Sequence, residues 1–227
     1  IVEALAEEQL KFFRKAIRGR ISDHSLFNSD DKQEDDELWA IGQHYGLKTP
    51  LLDWTYSPYV ALFFAFSKAN ETEEKDNPYR AIYILNKTAI SDENYFSEIR
   101  VLEPRKDDHG RLVNQAGLFT FSPYNATIEN KLIEVLGSEE YPDAKFRNAS
   151  QDAEEEPSIL AEYICKVFIK NEQQKECLRF LRRMNVHHAS LFPDLIGAAD
   201  YSNILIEELS FLSNCDGNDF LFTPKGI

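Results

Sequence analysis

Glycine is scarce, with nine in 227 residues. Neither G-x-G-x-x-G nor G-x-x-x-x-G-K-[ST] occurs, so the glycine-lined phosphate cradles of dinucleotide-binding and P-loop folds lose their main sequence support. G-x-S-x-G, H-E-x-x-H and calcium-loop patterns are missing as well. The three cysteines, Cys165, Cys177 and Cys215, form no C-x-x-C and leave an odd one over. That usage fits a reducing cytoplasm. The longest apolar run, Val60 to Phe66, is far shorter than the about 20 residues of a membrane-spanning helix. No secretory leader is visible. The chain begins at Ile1 rather than Met, so a longer parent protein is expected. His187-His188 is the one adjacent histidine pair; neighbours on a strand face opposite ways and no cysteine or carboxylate stands at ligand spacing, so no metal site is expected.

What is present is ordinary for a soluble globular chain: 43% hydrophobic and 28% charged residues. The net charge of −14 is concentrated. Residues 28–37 carry −5, residues 71–76 carry −3 and residues 137–157 carry −5, leaving the remainder near neutral. Such runs read as solvated, mobile loops, and they lack the spacing and central glycine of a calcium loop. A face for duplex DNA is not expected, although a local anion site remains open. The chain reads as a single domain, 1–227, with a weak hinge at 137–157.

Apolar periodicity predicts helices at 1–17, 37–45, 58–68, 126–136, 171–184 and 195–212. Asp35 or Asp36 is the expected cap of the second helix, and Asn171 with Gln174 resembles a capping box. Strands are predicted near 50–54, 80–85, 98–103, 117–122 and 163–169, with 80–85 central because it is apolar on both faces. Phe63, Phe64, Ile82, Ile84 and Val167 are the expected core. The irregular mixture predicts an α+β fold, a mixed sheet core with flanking helices.

The densest unusual stretch runs from Asp36 to Phe66. A helix end delivers Gln43, His44 and Tyr45; a strand then delivers Asp53, Trp54 and Thr55, followed by Tyr56 and a helix opened by Ser57-Pro58. Polar groups thus converge beside a helix N-terminus, where free N–H groups could meet a pyrophosphate. The plainer alternative is that Gln43, His44 and Asp53 bond to backbone and Trp54 fills core.

Gln43-His-Tyr-Gly-Leu-Lys-Thr-Pro-Leu-Leu-Asp-Trp-Thr, followed by Ser57-Pro-Tyr-Val-Ala-Leu-Phe-Phe-Ala65, resembles the signature of the Phe-Arg-Gly (FRG) domain family. Lys48 and Pro50 stand where that signature usually has proline and arginine. Arg111-Leu-Val-Asn-Gln-Ala-Gly-Leu-Phe-Thr120 and Ala189-Ser-Leu-Phe-Pro-Asp-Leu-Ile-Gly197 are similar to later family motifs. Ile17-Arg-Gly19 is a poor copy of the naming motif, so the true motif, with its ligand-binding arginine, is expected upstream of Ile1.

Asp53-Trp-Thr-x-Ser-Pro-x-x-Ala-x-x-Phe-Ala is also similar to the block that borders the NAD pocket in ADP-ribosyltransferases. This resemblance implies an ADP-ribosyltransferase-like fold and a toxin or defence effector that uses NAD as substrate to modify a macromolecular acceptor. It implies cofactor-binding roles for Gln43, His44, Tyr45, Asp53, Thr55 and Tyr56, with His44 or Thr55 orienting ribose and Tyr45 or Tyr56 stacking. The family glutamate has no clear counterpart. Gln115, Glu103 and Asp194 are the candidates, against plainer roles as a turn residue, a solvent carboxylate and a helix cap. The rival functions are a non-catalytic ligand-binding or sensor module and a protein-interaction domain.

Overall fold

A computed structural model describes residues 3–21, 24–27, 32–68, 77–105, 110–121, 123–149 and 155–215. The first half runs α1 (Glu3–Ala16), a 3-10 turn (His24–Phe27), α2 (Lys32–His44), β1 (Leu51–Thr55), α3 (Pro58–Ser67) and β2 (Tyr79–Leu85). Then come α4 (Glu93–Phe96), β3 (Arg100–Leu102), α5 (Arg111–Gln115), β4 (Gly117–Phe121), α6 (Ile128–Gly137), α7 (Lys145–Ala149) and α8 (Glu155–Leu160). The described residues end with β5 (Ile164–Lys170), α9 (Gln174–Arg183), α10 (His188–Leu191) and α11 (Leu195–Cys215). No described helix is long and apolar enough to cross a membrane.

The fold is α+β, but the expected single mixed sheet is two small antiparallel ones: β1-β4-β3 and the ribbon β2-β5. The central strand is β4, not β2. Leu118, Phe119, Thr120 and Phe121 are all buried, because helices cover both faces of the three-stranded sheet. On one face Ala6, Leu10, Leu38 and Trp39 pack with Leu51, Phe119 and Phe121. On the other, Trp54 and Val101 pack on Phe96, Ile99, Leu132 and Leu136. The Trp54 indole N–H donates to Thr120 Oγ1 at 2.8 Å, which satisfies both polar groups within this layer.

The ribbon accounts for two of the three departures from the expected core, Ile84 and Val167, whereas Phe64 stands on α3. Phe63 is buried and Ile82 half-buried, whereas Phe64, Ile84 and Val167 are exposed. A two-stranded ribbon has no second layer to cover all its apolar positions. Helix α3 is accordingly buried along Val60, Phe63 and Phe66 rather than all round.

The acidic runs also depart from the loop expectation. Residues 34–37 belong to α2, where Asp35 pairs with Arg14, Asp36 Oδ2 accepts from Arg100 at 2.7 Å, and buried Glu37 accepts the Arg105 backbone N–H at 2.8 Å. Neither Asp35 nor Asp36 caps the helix, which is already under way at Lys32. In the third run, Phe146 and Ala149 of α7 are buried. The second run and residues 150–154 lie outside the described residues. Asn171 and Gln174 form no capping box. Asn171 Oδ1 accepts from Arg80 Nε at 2.7 Å, and Gln174 Nε2 donates to Phe66 O at 2.6 Å, tying the ribbon and α9 to the end of α3.

Gly197, in the first turn of α11, sits where a Cβ would lie 2.2 Å from the Phe192 carbonyl oxygen. Backbone cannot swing aside as a side chain can, so Gly197→Ala is expected to cost about 1–3 kcal/mol in urea unfolding. A change below about 0.5 kcal/mol would contradict this close packing.

Candidate functional site

Helix α2 ends because Gly46 takes a positive φ of 87°. The Leu47 N–H then reaches back to Gly42 O at 2.8 Å, and the Gly46 N–H to Gln43 O at 3.0 Å, closing the last turn. This stop leaves Gln43, His44 and Tyr45 beside β1. β1 begins at Leu51, five residues after Gly46 and directly after Pro50, with Thr49 Oγ1 donating to Gln43 Oε1 and accepting the Leu51 N–H at 3.2 Å. Gln43 Nε2 donates in turn to Asp53 Oδ1 at 2.9 Å. A chain of polar groups therefore runs from the turn to the strand carboxylate.

These groups stand on the wall of a cleft of about 850 Å³ formed by α2, β1, α3, β2 and α5. The volume lies within the range of small-molecule sites. Gln43, His44, Tyr45, Asp53, Thr55 and Gln115 all line it, together with Trp54, Phe64, Tyr83 and Arg111. The His44 and Tyr45 rings meet edge to face at 5.0 Å, and Tyr45 is exposed. Crowding by protein pushes the Asp53 carboxyl up from the ordinary aspartate range, although its side chain still meets solvent through the cleft; the Gln43 hydrogen bond and the Arg111 charge oppose that rise. Among the described residues no donor takes Asp53 Oδ2.

Gln115 reaches the cleft because α5 stops at Ala116, held in the left-handed region at φ 46°, where it hands the chain to β4. Gln115 O accepts the Thr55 hydroxyl at 2.6 Å, and Gln115 Nε2 donates to Leu191 O at 3.0 Å. Thr55 Oγ1 also accepts the Ser57 N–H at 3.0 Å, so this hydroxyl is committed to joining β1, α5 and α3.

Three expected site residues lie elsewhere. Tyr56 OH donates to Glu103 Oε1 at 2.6 Å and accepts from Lys87 Nζ at 2.7 Å on the exposed surface. Hydrogen bonds from Lys87 and then Tyr56 hold the Glu103 carboxyl below its ordinary range. Asp194 Oδ1 accepts the Gly197 N–H at 2.7 Å, the helix-cap role that was the plainer alternative. Neither Tyr56, Glu103 nor Asp194 lines the cleft.

The N-terminus of α3, expected to meet a pyrophosphate, does not line the cleft, and of its first N–H groups only that of Tyr59 is without an acceptor among the described residues. Thr55 takes the Ser57 N–H, Pro58 has none, and Ser57 Oγ takes the Val60 N–H at 3.4 Å. The cleft is lined instead by the flank of α3 at Ala61, Phe64 and Ala65. Its cation is Arg111, whose guanidinium also lies 4.4 Å from the centre of the Phe192 ring. Sequence reasoning quoted Arg111 only as the first residue of a motif; its approach to Asp53 depends on the turn at Ala116, which no local pattern announces.

The histidine pair is not on a strand. His187 caps α10, its Nδ1 accepting the Ser190 N–H at 3.2 Å, and its ring stacks on Tyr201 at 4.3 Å. His188 packs edge-on against Phe63 at 4.9 Å. Both are half-buried, rather than one facing solvent. Among the described residues no group of three His, Cys, Asp or Glu side chains could hold a metal ion.

Residues 3–74 match the family model of the FRG domain, which spans α1 to α3 and includes the Gln43–Ala65 block. The similar segments at 111–120 and 189–197 fall outside the matched residues. No curated protein matches the chain, and no solved structure does.

Proposed function

We propose that this FRG-domain chain binds NAD in the cleft and transfers its ADP-ribosyl group to a macromolecular acceptor. The observation that carries this reading is the Asp53 carboxylate, held by Gln43 from one side and facing a cleft that also offers aromatic rings and one arginine. Cleavage of the nicotinamide–ribose bond passes through an oxocarbenium-like state, which a fixed carboxylate stabilises. Asp53 Oδ2 accepts a ribose hydroxyl and faces the positive charge developing at C1′. The C1′–N bond breaks with its electron pair remaining on the departing nicotinamide nitrogen. The acceptor nucleophile then bonds C1′ and gives up its proton. Arg111 neutralises the pyrophosphate in place of the α3 N-terminus, which does not line the cleft. Tyr45, exposed beside His44, supplies a face for nicotinamide or adenine.

A ligand-binding module without turnover is the second reading, because Gln43, Thr49, Thr55 and Gln115 already spend hydrogen bonds on the protein itself. Calorimetric titration with NAD tests the site common to both. The wild-type chain is expected to bind, and Tyr45→Ala to bind at least about tenfold more weakly with an unchanged melting temperature, given the about 1–3 kcal/mol of a base–aromatic stack. Full affinity in Tyr45→Ala would remove the stacking role; no heat of binding by wild type would remove both readings.

A further inference from the structure

The β2-β5 ribbon borders the cleft at Ala81 and Tyr83, and the same face runs on beyond it through Tyr79, Lys166, Phe168 and Lys170. Its register pairs Tyr79 with Lys170, Ala81 with Phe168, and Tyr83 with Lys166. Alternation along an antiparallel pair sets all six residues on one face. Contacts agree: the Tyr79 and Phe168 rings lie 6.2 Å apart, and Lys166 Nζ stands 5.4 Å from the Tyr83 ring centre and 5.0 Å from that of Phe168. Three aromatic rings thus step along the ribbon, crossing from one strand to the other at each two-residue repeat of about 7 Å. A lysine stands across from Tyr79 and another from Tyr83, on either side of Phe168. The rings are open to solvent: Tyr79 is 49% exposed, Tyr83 46% and Phe168 62%.

Charge sets this face apart. Neither strand contains an acidic residue, in a chain whose net charge is −14. An apolar partner would need no lysines interleaved with the rings, and a basic partner would be repelled by them. Solvent-exposed rings with a lysine lying over two of them suit planar bases on a phosphate backbone, the ammonium moving from the rings to a phosphate as a base stacks.

We infer that the ribbon binds single-stranded nucleic acid, with bases stacked on Tyr79, Phe168 and Tyr83 and phosphates met by Lys166 and Lys170. A duplex would not fit this mode, because its bases are already stacked on each other and only its phosphates are available. The site lies outside the matched FRG residues and shares only Ala81 and Tyr83 with the cleft lining, so it needs no NAD to be filled.

Fluorescence anisotropy with a labelled oligothymidylate of about 12 nucleotides, in about 50 mM salt and without NAD, tests this. The wild-type chain is expected to bind it in preference to duplex of the same length. Tyr83→Leu with Phe168→Leu keeps apolar volume but removes two stacking faces, and should weaken binding at least about 30-fold. Lys166→Gln with Lys170→Gln should make the slope of log affinity against log salt shallower by about 1.4, two phosphates' worth. Thermal melts confirm that each variant is folded; if the leucine pair is not, Tyr83→Leu alone and the salt slope decide. No binding by wild type, equal binding of duplex, or unchanged affinity in folded leucine variants would overturn the inference. So would a dimer in sedimentation that the leucine variants abolish, since the rings would then serve a second copy of the chain.

Discussion

Asp53→Asn is expected to slow nicotinamide release from NAD by about 10²- to 10³-fold, the scale of losing a fixed group that stabilises transition-state charge. Asparagine keeps an acceptor for the Gln43 N–H, so the melting temperature should hardly move. A variant that loses turnover and stays folded separates the site role from a core role. The pH dependence gives a second check. Crowding raises the Asp53 pKa, opposed by Gln43 and Arg111, so the active carboxylate forms only above the ordinary aspartate range. Activity should rise through that shifted region and flatten in Asp53→Asn. The stability sign follows from the same direction. Just above the ordinary aspartate pKa the folded chain binds more protons at Asp53 than the unfolded chain does. Its stabilising contribution is therefore present below that value and lost as pH rises through the raised one. Asp53→Asn should remove this component from a stability–pH curve.

The largest loss of stability is expected from Arg14→Ala, about 2–4 kcal/mol in urea unfolding. Arg14 is nearly buried on α1. Its Nε donates to Leu26 O at 3.2 Å in the 3-10 turn, and its guanidinium pairs with Asp35 on α2. Truncation takes the guanidinium away from a partly covered carboxylate and removes the Nε donor from the Leu26 carbonyl. The Asp35 side chain keeps 33% of its exposure, so water recovers part of the loss and the cost stays at the lower end for a buried pair. Because α2 carries Gln43, His44 and Tyr45 into the cleft, NAD affinity should fall together with stability. A cost below about 0.5 kcal/mol would mean that the pair behaves as a surface contact.

Local chemistry made part of this molecule legible. Ser57-Pro58 opens α3, and Gly46 closes α2, because caps depend on one or two residues and their immediate backbone. The convergence of Gln43, His44, Tyr45, Asp53 and Thr55 on one wall was legible for the same reason: only a tight helix stop and a short strand separate them. Long-range partners were not. Tyr56 next to Thr55 in sequence turns away to Lys87 and Glu103, 31 and 47 residues on. Arg111 reaches the cleft from a five-residue helix bounded by left-handed Gly110 and Ala116. The apolar look of 79–85 suggested a central strand because tyrosine counts as apolar, yet here its rings face water on a ribbon. The acids of 34–37 looked solvated because a charge run says nothing of Arg14 and Arg100, which wait on other elements.

The central claim is turnover of NAD at the Asp53 cleft, and mass spectrometry of free nicotinamide during incubation of the purified chain with NAD tests it most directly, water bonding C1′ in place of the macromolecular acceptor and giving its proton to solvent. Nicotinamide is expected to accumulate beyond one equivalent per chain, and to stop accumulating in Asp53→Asn. NAD that stays intact in the presence of folded wild-type protein would contradict the account.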